Sequence, residues 1–173
     1  MNTIECIRSR ASVRSFRQEK VPDKLIDEIL EAAICAPSAG NAQDWEFVVV
    51  TRQETKARLA EAAWGQDFIS RAPVVIVVCT NLRRISSSYG ERGSNLYSIQ
   101  DAAAATQNLL LAAWEKELGC CWVGAFNEEK VREALVLPSH ARPLAIIPIG
   151  YPASKPQKTP RRKLGEVVHR EFY

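Results

Sequence analysis

Histidine is nearly absent from this chain: its 173 residues hold two, His140 and His169, each in a stretch that reads as loop or tail. That scarcity leaves a His-centred triad or a metal cluster poorly supplied. The GxS nucleophile elbow, the P-loop and the GxGxxG fingerprint are missing as well. An enzyme lacking all of these draws its reactivity from a bound cofactor.

Other absences narrow the class further. The five cysteines, Cys6, Cys35, Cys79, Cys120 and Cys121, show neither the even count of a disulfide framework nor a CxxC spacing. Reduced thiols are expected, with vicinal Cys120 and Cys121 alternating across a strand rather than forming a redox pair. The opening MNTIECIRSR lacks the apolar run of a signal peptide, and no stretch approaches the length of a membrane span. The expectation is a soluble, cytoplasmic protein with no membrane partner. A formal charge of +3 is too small to imply nucleic acid, and the PRRK cluster at 160–163 is short and lacks interleaved aromatics. Repeats, linkers and low-complexity segments are also lacking, and a chain of this length buries one core. One domain over residues 1–173 is expected.

What the chain does have is an unusually apolar helix. Residues 99–118, IQDAAAATQNLLLAAWEKEL, place Ile99, Ala102, Ala103, Ala105, Leu109, Leu110, Ala112, Ala113 and Trp114 at helical spacing, while Ala104 and Leu111 fall on the opposite side. With no clean polar face, such a helix must be covered all round, by its own domain or by a second copy of the chain.

Around it helices alternate with strands. Residues 2–9 predict a short helix, RSRASVRSF a loop, and Leu25, Ile26, Ile29, Leu30 and Ala33 a striped helix begun at Pro22 and stopped by Pro37. Residues 38–43 predict a turn and residues 46–51 a strand, followed by a helix through Trp64 with Thr51 and Glu54 as its capping box. The unbroken run 74–79 fits a strand buried on both faces. Residues 81–98 predict a long mobile loop. Residues 120–126 and 144–151 predict strands, Asn127 caps a helix through Ala134, and residues 152–163 form an extended, proline-rich tail.

Three separated pieces carry chemistry. Arg10, Ser12 and Arg14 alternate in one loop, as donors that grip a phosphate from one side do. Arg161 and Arg162 can close on the same anion from the far end of the chain. The third piece is the polar turn APSAGNAQDW, residues 36–45.

Together these pieces resemble the nitroreductase superfamily of FMN-dependent oxidoreductases. Its arginine-rich RRSxRxF motif matches residues 10–16, its APSxxNxQPW motif residues 36–45, and DAAAATQNLLLAA from Asp101 its central helix. GCCWVGAF from Gly119 resembles its flavin-edge segment, and PLAIIPIGYP from Pro143 its last core strand. Two positions depart from the pattern. Ala11 replaces an arginine or histidine near the phosphate, and Asp44 replaces a proline.

The resemblance implies an α+β fold, a mostly antiparallel sheet flanked by helices, assembled as a homodimer with FMN at the subunit interface. Arg10 and Ser12, flanking Ala11, would bind the FMN phosphate, joined by Arg161 or Arg162. Arg14 would lie at the pyrimidine edge of the flavin, where a fixed cation stabilises charge on the reduced ring. Pro37, Ser38, Ala39 and Asn41 would reach the flavin from the other subunit, and Val123, Gly124 and Ala125 would line its edge, with the Gly124 N–H at flavin N5. No side chain is catalytic and no metal is implied. The activity implied is ping-pong hydride transfer from NAD(P)H through flavin N5 to a small oxidised acceptor: a nitroaromatic, a quinone or a flavin. A specialised flavoprotein, such as a reductive dehalogenase or a flavin-processing enzyme, and a non-catalytic flavin-binding module are the alternatives.

Overall fold

A computed structural model describes residues 1–173. In order, the chain forms α1 (Thr3–Ser9), α2 (Asp23–Ala33), β1 (Trp45–Val50), α3 (Gln53–Ala62), α4 (Phe68–Arg71) and β2 (Val74–Asn81). It continues through α5 (Leu82–Arg92), α6 (Ser98–Glu115), β3 (Gly119–Cys120), α7 (Glu128–Leu135) and β4 (Ala141–Gly150). The strands make one sheet in the order β1-β2-β4-β3, every neighbouring pair antiparallel.

β2 sits inside this sheet and shows why the fold has two apolar layers. Successive strand side chains point to opposite faces. Val74, Ile76 and Val78 therefore join a layer with Ile29 of α2 and Leu109, Leu110 and Ala113 of α6. Val75, Val77 and Cys79 join the other, with Leu59 of α3, Ile69 of α4 and Val131 of α7. Each fully buried Ile, Leu or Val here contributes about 1.5 to 3 kcal/mol. Cys120 and Cys121 divide between the same two layers, so both are buried and they face apart.

The central helix is covered on one side only. Asp101, Ala102, Ala105, Leu109, Leu110 and Ala113 are buried, whereas Ala103, Ala104, Leu111 and Ala112 remain half-buried toward solvent. Leu118 lies beyond the helix end, buried in the turn that leads to β3.

Three local expectations are corrected. Residues 81–98 are helical rather than a mobile loop: the Asn81 side chain accepts from the Arg84 N–H and starts α5, which bends at Gly90 (φ +53°) into a π-turn over Gly93–Tyr97. What holds it is tertiary contact, because Ile85 is fully buried, Arg84 donates to the Ala42 carbonyl and Tyr89 packs on Gly40. The Thr51 capping box does not form, since α3 begins one residue later with Arg52 at its N-cap. Residues 120–126 are not a full strand. After Cys120 only Val123 pairs, exchanging both hydrogen bonds with Ile146, and the chain then leaves the sheet to reach the Asn127 cap of α7.

Candidate functional site

α1 delivers the N-terminal donors. Asn2 and Glu5 form its capping box, the Trp114 indole N–H donates to Ser9 Oγ at 2.8 Å, and Cys6 Sγ reaches the Leu111 carbonyl at 3.3 Å. These contacts fix α1 against α6, so its C-cap, Arg10, has a defined place. The chain then extends: Ala11 and Val13 turn inward while Ser12 and Arg14 turn out. The Val13 N–H donates to the Cys120 carbonyl at 2.9 Å. Close packing here requires Gly119, where a Cβ would lie 2.6 Å from Val13 Cγ2.

This segment forms one wall of a cavity of about 570 Å³. Ile7, Arg8, Arg10, Ala11, Ser12 and Arg14 face Gln157, Lys158, Thr159 and Arg161 across it. Five of these side chains are cationic, two carry hydroxyls and none carries a carboxylate. None of the five cations takes part in any of the ion pairs of the structure. Guanidinium, ammonium and hydroxyl donors converging without an acceptor make a lining chemically matched to a phosphate.

The tail contributes Arg161 but not Arg162. Arg161 is held by Thr159 Oγ1 at 2.7 Å, whereas Arg162 donates to the Glu166 carbonyl at 2.6 Å and pairs with its carboxylate at 3.7 Å. Arg14 also has a second neighbour, its guanidinium lying 5.8 Å from the centre of the Phe68 ring.

Pro37, Ser38, Ala39 and Asn41 do not line this cavity. They form a separate turn with its own supports. The Gln43 N–H donates to Ser38 Oγ at 2.9 Å, and Arg84 of α5 donates to the Ala42 carbonyl. Gly40 at φ +53° packs so closely on Tyr89 that a Cβ would collide with its hydroxyl oxygen. The Ala39 N–H donates to the Asp101 carboxylate, which ties the turn to the first turn of α6.

Val123, Gly124 and Ala125 also stand outside the cavity lining, on the segment that runs on from Cys120 beside Ser12. Gly124 and Ala125 are exposed and their N–H groups bond to nothing in the chain. A Cβ on Gly124 would meet only the Trp122 indole nitrogen at 3.8 Å, so packing within one protomer does not require glycine there.

Sequence reasoning missed five cavity residues: Ile7, Arg8, Gln157, Lys158 and Thr159. Arg8 sits in the last turn of α1, so the alternation of Arg10, Ser12 and Arg14 in the extended segment does not reach it. It also missed the partners of Asp44, which is fully buried beside Asp101 and Thr80.

A sheet sheathed by helices on both faces, with an unpaired cationic cavity where the N-terminal segment meets the tail, defines an α+β protein with a candidate anion site. Comparison with known proteins makes the class specific. The profile of the Nitroreductase family matches residues 7–66 and 62–151. The NADH dehydrogenase of Thermus thermophilus is 36% identical over 186 residues, covering 92% of this chain and 91% of that protein. The FMN reductase (NADPH) of Bacillus subtilis is 31% identical over 185 residues, covering 99% of this chain and 74% of that protein. The structure of B. megaterium NfrA2 superimposes with a TM-score of 0.92 at 29% identity, covering 100% of this chain and 76% of that one. The chain belongs to the nitroreductase family.

Proposed function

We propose that this protein is an FMN-dependent NAD(P)H oxidoreductase that reduces a small oxidised acceptor, a nitroaromatic, a quinone or a flavin, and that one FMN-binding domain spans residues 1–173. The observation that carries the reading is the cavity with five cations, two hydroxyls and no carboxylate. A phosphate monoester brings about 1.5 to 2 negative charges at neutral pH and three acceptor oxygens, which complement that lining. Relatives named FMN reductase and NADPH-flavin oxidoreductase support the choice of cofactor and reductant.

In this reading Arg10, Ser12 and Arg161 hold the phosphate, with Arg8 and Lys158 adding charge around it. Bound FMN supplies the two-electron chemistry, so neither a side-chain nucleophile nor a metal is asked of the protein. Arg14 sets a positive charge toward the ring, and the free N–H groups at Gly124 and Ala125 are donors for its edge.

The Pro37–Asn41 turn serves the partner's flavin in a homodimer. The half-buried side of α6 supports that assembly, because its Leu111 and Ala112, with Met1, Cys6, Ala32 and Cys35, form the apolar part of an open groove of about 500 Å³. Ile4 and Ile7 on α1 are exposed nearby, at 55% and 49%. Apolar surface of this kind belongs to large, obligate interfaces.

An anaerobic titration tests the function. The expected protein is yellow and bleaches when NADH or NADPH is added without air. Yellow protein that bleaches with neither is a flavin-binding module, and protein that takes up no FMN overturns the reading.

A further inference from the structure

Asp44, just before β1, is completely buried, and Asp101, in α6, is 5% exposed. Two donors serve both carboxyls. The Thr80 hydroxyl donates to Asp44 Oδ2, and the Ala39 N–H is shared between Asp101 Oδ1 and Oδ2 at 3.0 and 3.1 Å. Asp44 Oδ1 has no partner among these donors. The two carboxyls are within hydrogen-bonding reach of each other, and neither forms an ion pair.

None of the other charged and titratable groups on the surrounding elements forms a hydrogen bond or ion pair with either carboxyl. Arg84 of α5 donates to the Ala42 carbonyl, and Tyr89 packs on Gly40. Glu46 of β1 accepts from the Asn81 side chain at 3.3 Å. Arg142 of β4, in register with Thr80, is bound through two hydrogen bonds to Glu128 at 2.8 and 3.0 Å. Cys79 on β2 is a thiol that burial pushes up to about 12, and Cys35 after α2 donates to the Glu31 carbonyl. His140 lies before β4 and receives the Leu82 N–H on its backbone carbonyl.

Two neighbouring carboxyls out of water and without a cation do not both ionise. One proton between them gives Asp44 Oδ1 its missing partner and leaves a negative charge to receive the Ala39 N–H. We propose that Asp44 and Asp101 share one proton and act as a positioning unit for residues 38–41, the turn assigned above to the partner's flavin. The consequence at the flavin rests on that assignment; the shared proton rests on burial and partners alone.

Burial foremost, and then the hydrogen bond and charge of Asp44, push the Asp101 carboxyl up to about 6, against the pull of the Ala39 N–H. A carboxyl raised in the folded state binds more protons there than in the unfolded chain. Its contribution is therefore complete at acid pH and is lost as pH rises from about 4 through about 6.

The experiment compares the FMN-saturated protein with Asp44→Asn, whose amide provides a permanent donor in place of the proton. The Tm of the wild type should fall by roughly 5 °C across that window, and Asp44→Asn should stay level and exceed it at neutral pH. Parallel profiles overturn the proposal. Carbon NMR of aspartate-labelled protein, recorded with and without FMN, should show one carboxyl titrating near 6 that is lost in Asp44→Asn, and in Asp101→Asn should the first variant fail to fold. No carboxyl titrating there overturns proton sharing even if the flavin reading fails. For the positioning role, the FMN phosphate titrates alike in both proteins, so the readout is the ratio of their FMN Kd values. That ratio, wild type over variant, should rise by about threefold or more through the window; a constant ratio overturns positioning.

Discussion

Around the Arg10 cavity five cations, four of them exposed and Arg10 half-buried, have no carboxylate among the lining residues, whereas beneath the 38–41 turn two carboxyls stand out of solvent with no cation bound to them. Water screens the first imbalance, so the fold tolerates it and leaves the donors available to an outside anion. Nothing screens the second, and it must be resolved within the protein. Exposure turns surplus charge into a binding site; burial turns it into a demand for a proton.

The largest effect tests the exposed side. Arg10→Ala removes a charge-assisted bond of about 1.5 to 3 kcal/mol, so FMN should bind about tenfold to a hundredfold more weakly while riboflavin, which has no phosphate, keeps its affinity. Arg162→Ala should leave both ligands unaffected, because Glu166 already holds that guanidinium. Flavin-free Arg10→Ala should match the wild type in unfolding to within about 0.5 kcal/mol. Equal losses for FMN and riboflavin in a fluorescence titration would show that the cation does not serve phosphate.

The next effect tests the buried side. Thr80→Val keeps the shape and removes the hydroxyl that donates to Asp44 Oδ2, leaving a buried carboxyl short of a donor. Urea unfolding should report a loss of about 1 to 3 kcal/mol, with no ligand present. If Thr80→Val were as silent as Arg10→Ala, the contrast between the two regions would collapse.

How far each region could be read from sequence follows from the range of its contacts. Arg10, Ser12 and Arg14 were legible because an extended segment presents alternate residues to one side, a local rule. Val74 to Cys79 were legible because a run with no polar member must be covered on both faces, and the Asn127 cap because it bonds within one turn. α5 was not, since its one fully buried side chain, Ile85, gives no periodicity and the helix is pinned from outside. Lys158 and Thr159 were not, since only the return of the tail past Phe16 and Pro152 brings them to the cavity. Asp44 stood out as a departure from the motif, but its partner lies on a helix far along the chain.

The smallest effect sharpens the comparison inside the cavity itself. Arg10 and Arg14 carry the same charge in the same lining, yet Arg14 sits two residues beyond Ser12 in an extended segment, about 7 Å further on. It makes no ion pair, and its only aromatic contact, 5.8 Å from the centre of the Phe68 ring, is worth about 0.5 to 1 kcal/mol at an exposed site. Its charge is therefore free to act on whatever negative charge develops beside it, and flavin becomes negative only once reduced. Arg14→Gln should accordingly lower the reduction potential of bound FMN and slow hydride uptake while oxidised FMN binds with nearly wild-type affinity. Screening holds the effect to the order of 1 kcal/mol. Spectroelectrochemical titration of both proteins, fully loaded, decides between two roles: a lowered potential separates Arg14 from Arg10, and an unchanged one reduces it to another cation that packs on Phe68 and adds to the anion site.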